Sequence, residues 1–119
     1  MLFETHAWVT LDNAVAIYNV YSDVLVATIP VGIAPAFPKR TPDGTKVLVP
    51  NFGSNSVSIL CTATNHVLAT VPVGLAPTSV AIDPTSTTAY VTNSGSGTVS
   101  VISIPTHTVV STIDRKSVV

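Results

Sequence analysis

Residues 73–113, VGLAPTSVAIDPTSTTAYVTNSGSGTVSVISIPTHTVVSTI, decide the fold of this chain. They contain four short runs rich in Val, Ile, Thr or Tyr, and residues that favour turns separate the runs. The runs are 78–83, 89–93, 98–104 and 109–113. Because the connections are only a few residues long, we expect neighbouring runs to pair as an antiparallel meander of four strands.

This stretch is one copy of a repeat of 42 residues. Residues 26–35, VATIPVGIAP, and 68–77, LATVPVGLAP, agree almost letter for letter. Other positions with the same spacing are Val15, Val57 and Val99; Ile17, Ile59 and Val101; Ile29, Val71 and Ile113; Gly32 and Gly74; and Pro42 and Pro84. A period of about 40–45 residues with four strands is that of a β-propeller blade. The spacing therefore predicts an all-β partial β-propeller of about three four-stranded antiparallel blades.

The repeat predicts one propeller domain over residues 1–113, with blades at about 6–31, 35–73 and 77–113. The first blade is expected to lack its inner strand. The inner strand of the second blade, residues 36–41, contains Pro38, which cannot donate to a ladder, and the charged pair Lys39 and Arg40. Three alternatives stay open for it: an irregular strand, an edge strand, or a local sequencing frameshift.

The end of the chain breaks the repeat. Pro-Val-Gly is expected after Ile113, but the sequence continues with residues 114–119, DRKSVV. These six residues match the translation of a common sequencing adapter. We therefore predict a non-native tail at 114–119 that does not belong to the propeller, and a natural basic C-terminus is the alternative.

The run from Ala89 to Asn93, AYVTN, followed by TVSVI at 98–102, resembles the signature of the YVTN-family β-propeller repeat. The loop 72–77, PVGLAP, is similar to that family's link between blades, and the resemblance covers nearly all of residues 7–113. It implies a multi-bladed propeller exported to the periplasm or cell surface of bacteria or archaea, although the N-terminal residues MLFETHAW show no signal peptide. The motif implies a fold and not a reaction.

Composition excludes several classes of function. Only 9% of the 119 residues are charged and the formal net charge is −1, so the basic surface of a nucleic-acid-binding protein is missing. No apolar run is long enough to span a membrane. Cys61 is the only cysteine, which permits no intrachain disulfide, and we predict that it is a small buried residue on a strand.

The chain is short for a closed propeller, so we expect the remaining blades or self-association to cover its end sheets. We also expect that the isolated chain is not a stable monomer.

No constellation of reactive side chains stands out, and we predict no catalytic, cofactor-binding or metal-binding residue and no cofactor. The acids Asp12, Asp23, Asp43 and Asp83 are predicted to serve turns. His66 and His107 lie at the tips of neighbouring outer hairpins, where a weak shared metal site is conceivable, but solvent-facing turn residues are the favoured interpretation. The remaining predictions are inter-blade packing for Trp8 and Tyr90 and a turn at 95–97.

Two functions follow from this pattern. The favoured hypothesis is a non-catalytic propeller module that acts as a binding or surface scaffold for a protein or glycan. The alternative is the propeller portion of a larger periplasmic enzyme that is quinoprotein-, lactonase- or reductase-like. Such an enzyme would place Asp, Glu, Asn or His side chains on the central channel from several blades, so its full sequence would separate the two hypotheses.

Overall fold

A computed structural model describes residues 2–3 and 5–114, which form strands and turns and no helix. No segment of these residues is therefore a helix that could cross a membrane. In chain order the strands within them are β1 (Leu2–Phe3), β2 (His6–Thr10), β3 (Ala14–Asn19), β4 (Leu25–Pro30), β5 (Lys39–Arg40), β6 (Lys46–Asn51), β7 (Ser56–Cys61), β8 (His66–Pro72), β9 (Pro77–Ile82), β10 (Thr88–Asn93), β11 (Thr98–Ser103) and β12 (Thr108–Asp114).

The strands form three antiparallel sheets, each with its four strands paired in sequence order. The first sheet is β1–β4, the second β5–β8 and the third β9–β12. A register shift recurs at one place in each sheet, after Ile17, Ile59 and Val101, which are 42 residues apart. The predicted all-β partial propeller is thus confirmed. The limits of the domain and of the blades stay predictions.

The repeat extends to the backbone of the turns. Positive φ angles of 51–77° recur at 42-residue spacing in four sets: Asp23, Asn65 and His107; Ala34 and Ala76; Gly44 and Ser86; Asn55 and Gly97. Because residues with a Cβ seldom adopt this left-handed conformation, its recurrence at equivalent positions is not a result of local preference alone. The turns are held in the same geometry by the same surroundings in each unit.

The core lies between the sheets in two separate clusters. The middle sheet contributes to both, because neighbouring residues of β7 point to opposite faces. Ile59 packs toward the third sheet and Leu60 toward the first, and both side chains are fully buried. The cluster at the first interface also contains Trp8, Val15, Ile17, Ile29, Val47 and Val49; the cluster at the second contains Leu48, Val57, Val71, Ala89, Val91, Ile102 and Ile104.

The inner strands differ from the sequence-based expectation. The first sheet does have a short inner strand, since Leu2 and Phe3 pair with Ala7 and His6. The expected absence of that strand is wrong, because backbone pairing with β2 needs no repeat-like sequence. In the second sheet β5 is an irregular strand of two residues, Lys39–Arg40, and the buried Pro38 before it has no N–H to extend the ladder.

The predicted non-native tail lies almost wholly outside the described residues. Asp114 alone is described, and it ends β12 opposite Thr98. The prediction for 115–119 therefore stays a prediction.

Each linking loop packs a glycine against a buried asparagine of the next sheet. Asn93 donates from its amide nitrogen to Ser100 Oγ at 2.9 Å and Thr98 Oγ1 at 3.2 Å. A Cβ on Gly74 would lie 2.8 Å from that nitrogen and 2.6 Å from Ser96 Oγ. The same arrangement recurs 42 residues earlier, where Gly32 lies against Asn51. This contact explains why the link and the strand motif occur together in the sequence.

We expect Gly74→Ala to destabilise the fold by about 1–3 kcal/mol, because the added methyl group overpacks the buried amide of Asn93. Urea unfolding followed by circular dichroism measures the change. Thr70→Ser, on the exposed side of β8, is the matched control and should stay within about 0.5 kcal/mol of the wild type. Equal stability of the glycine variant and the control would show that the linking loop does not pack in this way.

Candidate functional site

A groove of about 630 Å³ lies between the first and second sheets. This volume falls within the range of about 300–1,000 Å³ that is usual for ligand pockets. The first sheet lines it with His6, Trp8, Ile17 and Val26, and the second with Arg40, Pro42, Asp43, Gly44, Thr62 and Asn65. A second, more open depression at the first linking loop offers Asp12 as its one charged side chain among the lining residues described.

The groove exists because two positions that are apolar at the second interface hold polar residues at the first. Ile82 and Ile104 occupy two positions between the second and third sheets, where Ile104 is buried and Ile82 packs against the core. The residues 42 positions earlier are Arg40 and Thr62. Neither belongs to the apolar cluster at the first interface. A polar pair thus replaces an apolar pair, and the groove between the two sheets has hydrogen-bonding groups of the second sheet opposite the apolar side chains of Trp8, Ile17 and Val26.

Two side chains of the groove are held in place by the turn between β5 and β6. Thr62 Oγ1 donates to the carbonyl oxygen of Gly44 at 2.7 Å. Arg40, half-buried on β5, brings its Nη1 close to the same glycine, 3.8 Å from where a Cβ would stand. The groove therefore presents a guanidinium, which is always charged and has five donors in a planar fork.

The carboxylate of Asp43 lies on the same groove but serves its own turn. Asp43 Oδ1 accepts hydrogen bonds from Thr41 Oγ1 at 2.6 Å, Thr45 Oγ1 at 2.8 Å and the Thr45 amide at 3.0 Å. The hydrogen bond from Thr41 is the main reason that the pKa of Asp43 falls from 3.8 to about 2. The group is thus ionised at neutral pH, and it orients the turn that carries Gly44.

The predicted turn roles of the aspartates are confirmed most clearly for Asp43 and Asp83. Asp83 Oδ1 accepts from the amides of Thr87 at 2.9 Å and Thr88 at 3.0 Å, in the corresponding turn of the third sheet. Asp23 also lies in a turn, with a φ of 58°. There, however, it is Asn19 Oδ1 that accepts from the turn amides of residues 21 and 22. Sequence reasoning did not single out Asn19.

The predicted packing of the aromatic residues is half right. Trp8 is 3% exposed and belongs to the core between the first two sheets, as predicted. Tyr90, at the equivalent position of the third sheet, is 43% exposed. The prediction for Tyr90 is wrong because, within the described residues, no further sheet covers that face.

The other singled-out residues have ordinary structural positions. Cys61 is only partly buried, which corrects the prediction of a buried residue, because it ends β7 where the outer hairpin turns. His107 occupies a left-handed turn position and His66 is exposed at the start of β8. The described residues hold no group of three or more His, Cys, Asp or Glu side chains that could bind a metal ion. Residues 95–97 form a turn, as predicted.

The groove residues were missed in the sequence as a site, although one signal was present. Arg40 interrupts a position that is apolar in the other complete repeat, and a charge at an interface between sheets is costly unless it has a role or a partner. The charge of Arg40 at an otherwise apolar position therefore marks the face of the second sheet that lines the groove.

The fold is shared with several solved structures. A Kuenenia stuttgartiensis hydrazine synthase matches with a TM-score of 0.84 and 24% identity over 91% of this chain and 32% of that one. The dihydro-heme d1 dehydrogenase NirN in complex with DHE matches with a TM-score of 0.77 and 23% identity over 86% and 22%. A functionally unknown protein from Desulfotomaculum acetoxidans DSM 771 matches with a TM-score of 0.65 and 27% identity over 76% and 31%.

These similarities establish the fold alone. The matched regions are propeller-like, and two of them belong to enzymes. This chain spans about a third or less of the length of each of these proteins. No known family model and no curated protein matches the sequence.

The aspartates of the turns give stability a pH dependence of predictable sign. The folded-state pKa of Asp43 is depressed to about 2 and that of Asp83 is lowered too. A depressed carboxyl pKa stabilises the fold above the unfolded-state value and loses that effect as pH falls through the folded-state value. We therefore expect the urea midpoint to be flat above about pH 5 and to fall between pH 4 and 2.

The variant Asp43→Asn isolates the contribution of this turn. Its midpoint should be lower than that of the wild type at pH 7, and the difference should shrink as pH approaches 2, because the wild-type carboxylate becomes protonated there. A wild-type midpoint that rises between pH 4 and 2 would contradict this account.

Proposed function

We propose that this chain is part of a non-catalytic β-propeller of the YVTN-repeat type and that the groove between its first two sheets binds a ligand. The observation that carries the proposal is the exchange of Ile82 and Ile104 for Arg40 and Thr62 at the equivalent interface. A repeat protein keeps its apolar interfaces for stability, so an open groove with a polar pair beside the apolar cluster of one interface indicates a use other than packing.

The chemistry of the groove favours a ligand that carries a carboxylate. Arg40, Thr62 and Asn65 line the groove with a guanidinium, a hydroxyl and an amide, and the planar guanidinium is the group whose geometry matches a carboxylate. The Asp43 carboxylate on the same groove accepts its hydrogen bonds at Oδ1 from its own turn, from Thr41 and Thr45. Acidic segments of proteins and acidic glycans both present such groups, and the binding assay tests them separately.

A scaffold role at the periplasm or cell surface of bacteria or archaea accompanies this proposal, from the resemblance to the YVTN repeat. In that setting the propeller would present the groove to a protein or glycan partner. The groove side chains bind and orient: a guanidinium, hydroxyls and an amide form hydrogen bonds without a covalent step.

The alternative is that the chain is the propeller portion of a larger enzyme. Hydrazine synthase and NirN favour it, because in both the region similar to this chain is less than a third of the solved protein. Under this alternative the catalytic groups would come from other parts of the parent protein. Inward-facing acidic or histidine side chains across the blades of the full-length sequence would support it.

Restoring the residues of the repeat should close the groove. The double variant Arg40→Ile and Thr62→Ile places the apolar pair of the second interface at the first. The two isoleucine side chains should bury additional apolar surface, and each Å² of such surface stabilises the folded state by about 25 cal/mol. We expect at least tenfold weaker binding of a fluorescent glutamate-rich peptide or oligogalacturonate, with an unchanged or higher urea midpoint. Fluorescence anisotropy measures the binding.

Two further measurements make this test specific. Arg40→Lys keeps the charge but loses the bidentate geometry, and we expect an intermediate affinity. Leu68→Ser, on the exposed outer strand of the second sheet, should bind like the wild type. Binding of either probe that survives the double isoleucine variant would exclude the groove as its site.

A further inference from the structure

The turn at the edge of the groove is contacted from the far side by a residue of the third sheet. We call residues 41–45, between β5 and β6, the groove turn. The amide of Asp43 in this turn donates to Ser86 Oγ at 3.0 Å. Ser86 belongs to the corresponding turn of the third sheet, between β9 and β10, and it is 8% exposed. The contact thus connects the turns of two neighbouring sheets.

Serine is a costly residue at position 86. Its φ is 62°, in the left-handed region that residues with a Cβ seldom adopt. The residue 42 positions earlier is Gly44, which has a φ of 77° and adopts it freely. Compared with glycine, serine adds strain at this position, and it also adds a hydroxyl. That hydroxyl is the group that accepts from Asp43.

The groove turn in its own right positions polar side chains of the groove. The carbonyl oxygen of Gly44 accepts from Thr62 Oγ1 at 2.7 Å, and the Thr62 amide donates to the carbonyl oxygen of Thr45 at 3.0 Å. Arg40 directly precedes the turn, and its Nη1 lies close to Gly44. A displacement of the turn would therefore move the Thr62 hydroxyl and the surroundings of the guanidinium together.

We propose that Ser86 is a positioning residue for the groove. Its hydroxyl holds the backbone of the groove turn, and the turn holds Thr62 and Arg40 in the geometry that binds the ligand. This inference rests on the proposed function, since it needs a groove that binds a carboxylate. The described residues that line the groove do not include Ser86, so it acts through the turn. A site that is ordered before the ligand arrives binds more tightly, because binding then costs less conformational entropy.

Two substitutions at position 86 remove the hydroxyl and differ in backbone strain. Ser86→Gly also relieves the left-handed conformation, whereas Ser86→Ala keeps it strained. In fluorescence anisotropy both variants should bind the glutamate-rich peptide about threefold to tenfold more weakly than the wild type. The urea midpoint should fall for the alanine variant and stay close to the wild-type value for the glycine variant. Lost stability would then not explain the weaker binding of Ser86→Gly.

Hydrogen exchange measures the groove turn without any ligand. Exchange of the backbone amides of residues 41–46, followed by mass spectrometry, should be faster in both Ser86 variants, because the amide of Asp43 loses its acceptor. Thr85→Ala is the matched control. It removes a hydroxyl from the neighbouring residue, which donates within its own turn to Asp83 Oδ2 at 2.6 Å. The control should match the wild type in affinity and in the exchange of this segment.

Three results would overturn the inference. Wild-type affinity of Ser86→Gly would show that the groove does not need the hydroxyl. Unchanged exchange of residues 41–46 in that variant would show that the contact does not hold the turn. Equal weakening by Thr85→Ala would show a general effect of the third-sheet turn. A wild-type protein that binds neither the peptide nor oligogalacturonate would refute the proposed function, and exchange of residues 41–46 would then decide alone whether Ser86 holds the groove turn.

Discussion

Burial of the middle sheet on both faces is the interaction on which this structure depends. Ile59 and Leu60 are neighbours in β7, point to opposite sides and are both fully buried. Burial of a Leu or Ile side chain stabilises a fold by about 1.5–3 kcal/mol, so each face needs its own neighbouring sheet. Hence no single sheet of this chain is a folding unit by itself, and the repeat is stable only as a stack.

The stacking explains most of what the sequence could predict. The turn residues predicted the four strands of the third sheet with ends that differ by at most one residue from those in the structure, and the 42-residue spacing predicted the same order of strands in the other two sheets. Val, Ile and Thr in these runs mark the strands because they suit a pleated surface, and the spacing marks their order. These signals are strongest in the middle sheet, where Val57, Ile59 and Val71 are each at most 3% exposed.

The features that the sequence left open depend on tertiary surroundings. The backbone of β1 pairs with β2 although its sequence does not match the repeat, and Ala34 and Ala76 adopt a left-handed conformation that their side chains do not favour. Tyr90 has the sequence of an interface residue, yet its exposure depends on whether another sheet follows. From the sequence, Arg40 only disfavoured an inner strand, because the role of a charge at an interface depends on the space beside it, which the sequence does not give.

The groove and the exposed apolar outer faces of the first and third sheets follow from one rule. Where the repeat keeps its apolar residues and has a neighbour, the sheets pack. Where Arg40 and Thr62 replace those residues, a groove opens between sheets that still pack beyond it. Where the apolar residues are kept but no sheet of this chain covers them, a surface for association remains.

The most direct test of this account is the cost of truncating adjacent residues of β7. Ile59→Ala and Leu60→Ala should each lower the free energy of unfolding by about 2–5 kcal/mol, since each leaves a cavity in a different interface. Leu68→Ala, on an exposed outer strand, should cost less than about 1 kcal/mol. If either β7 variant were as stable as the Leu68 control, one face of the middle sheet would be open to solvent and the stacked arrangement would be wrong.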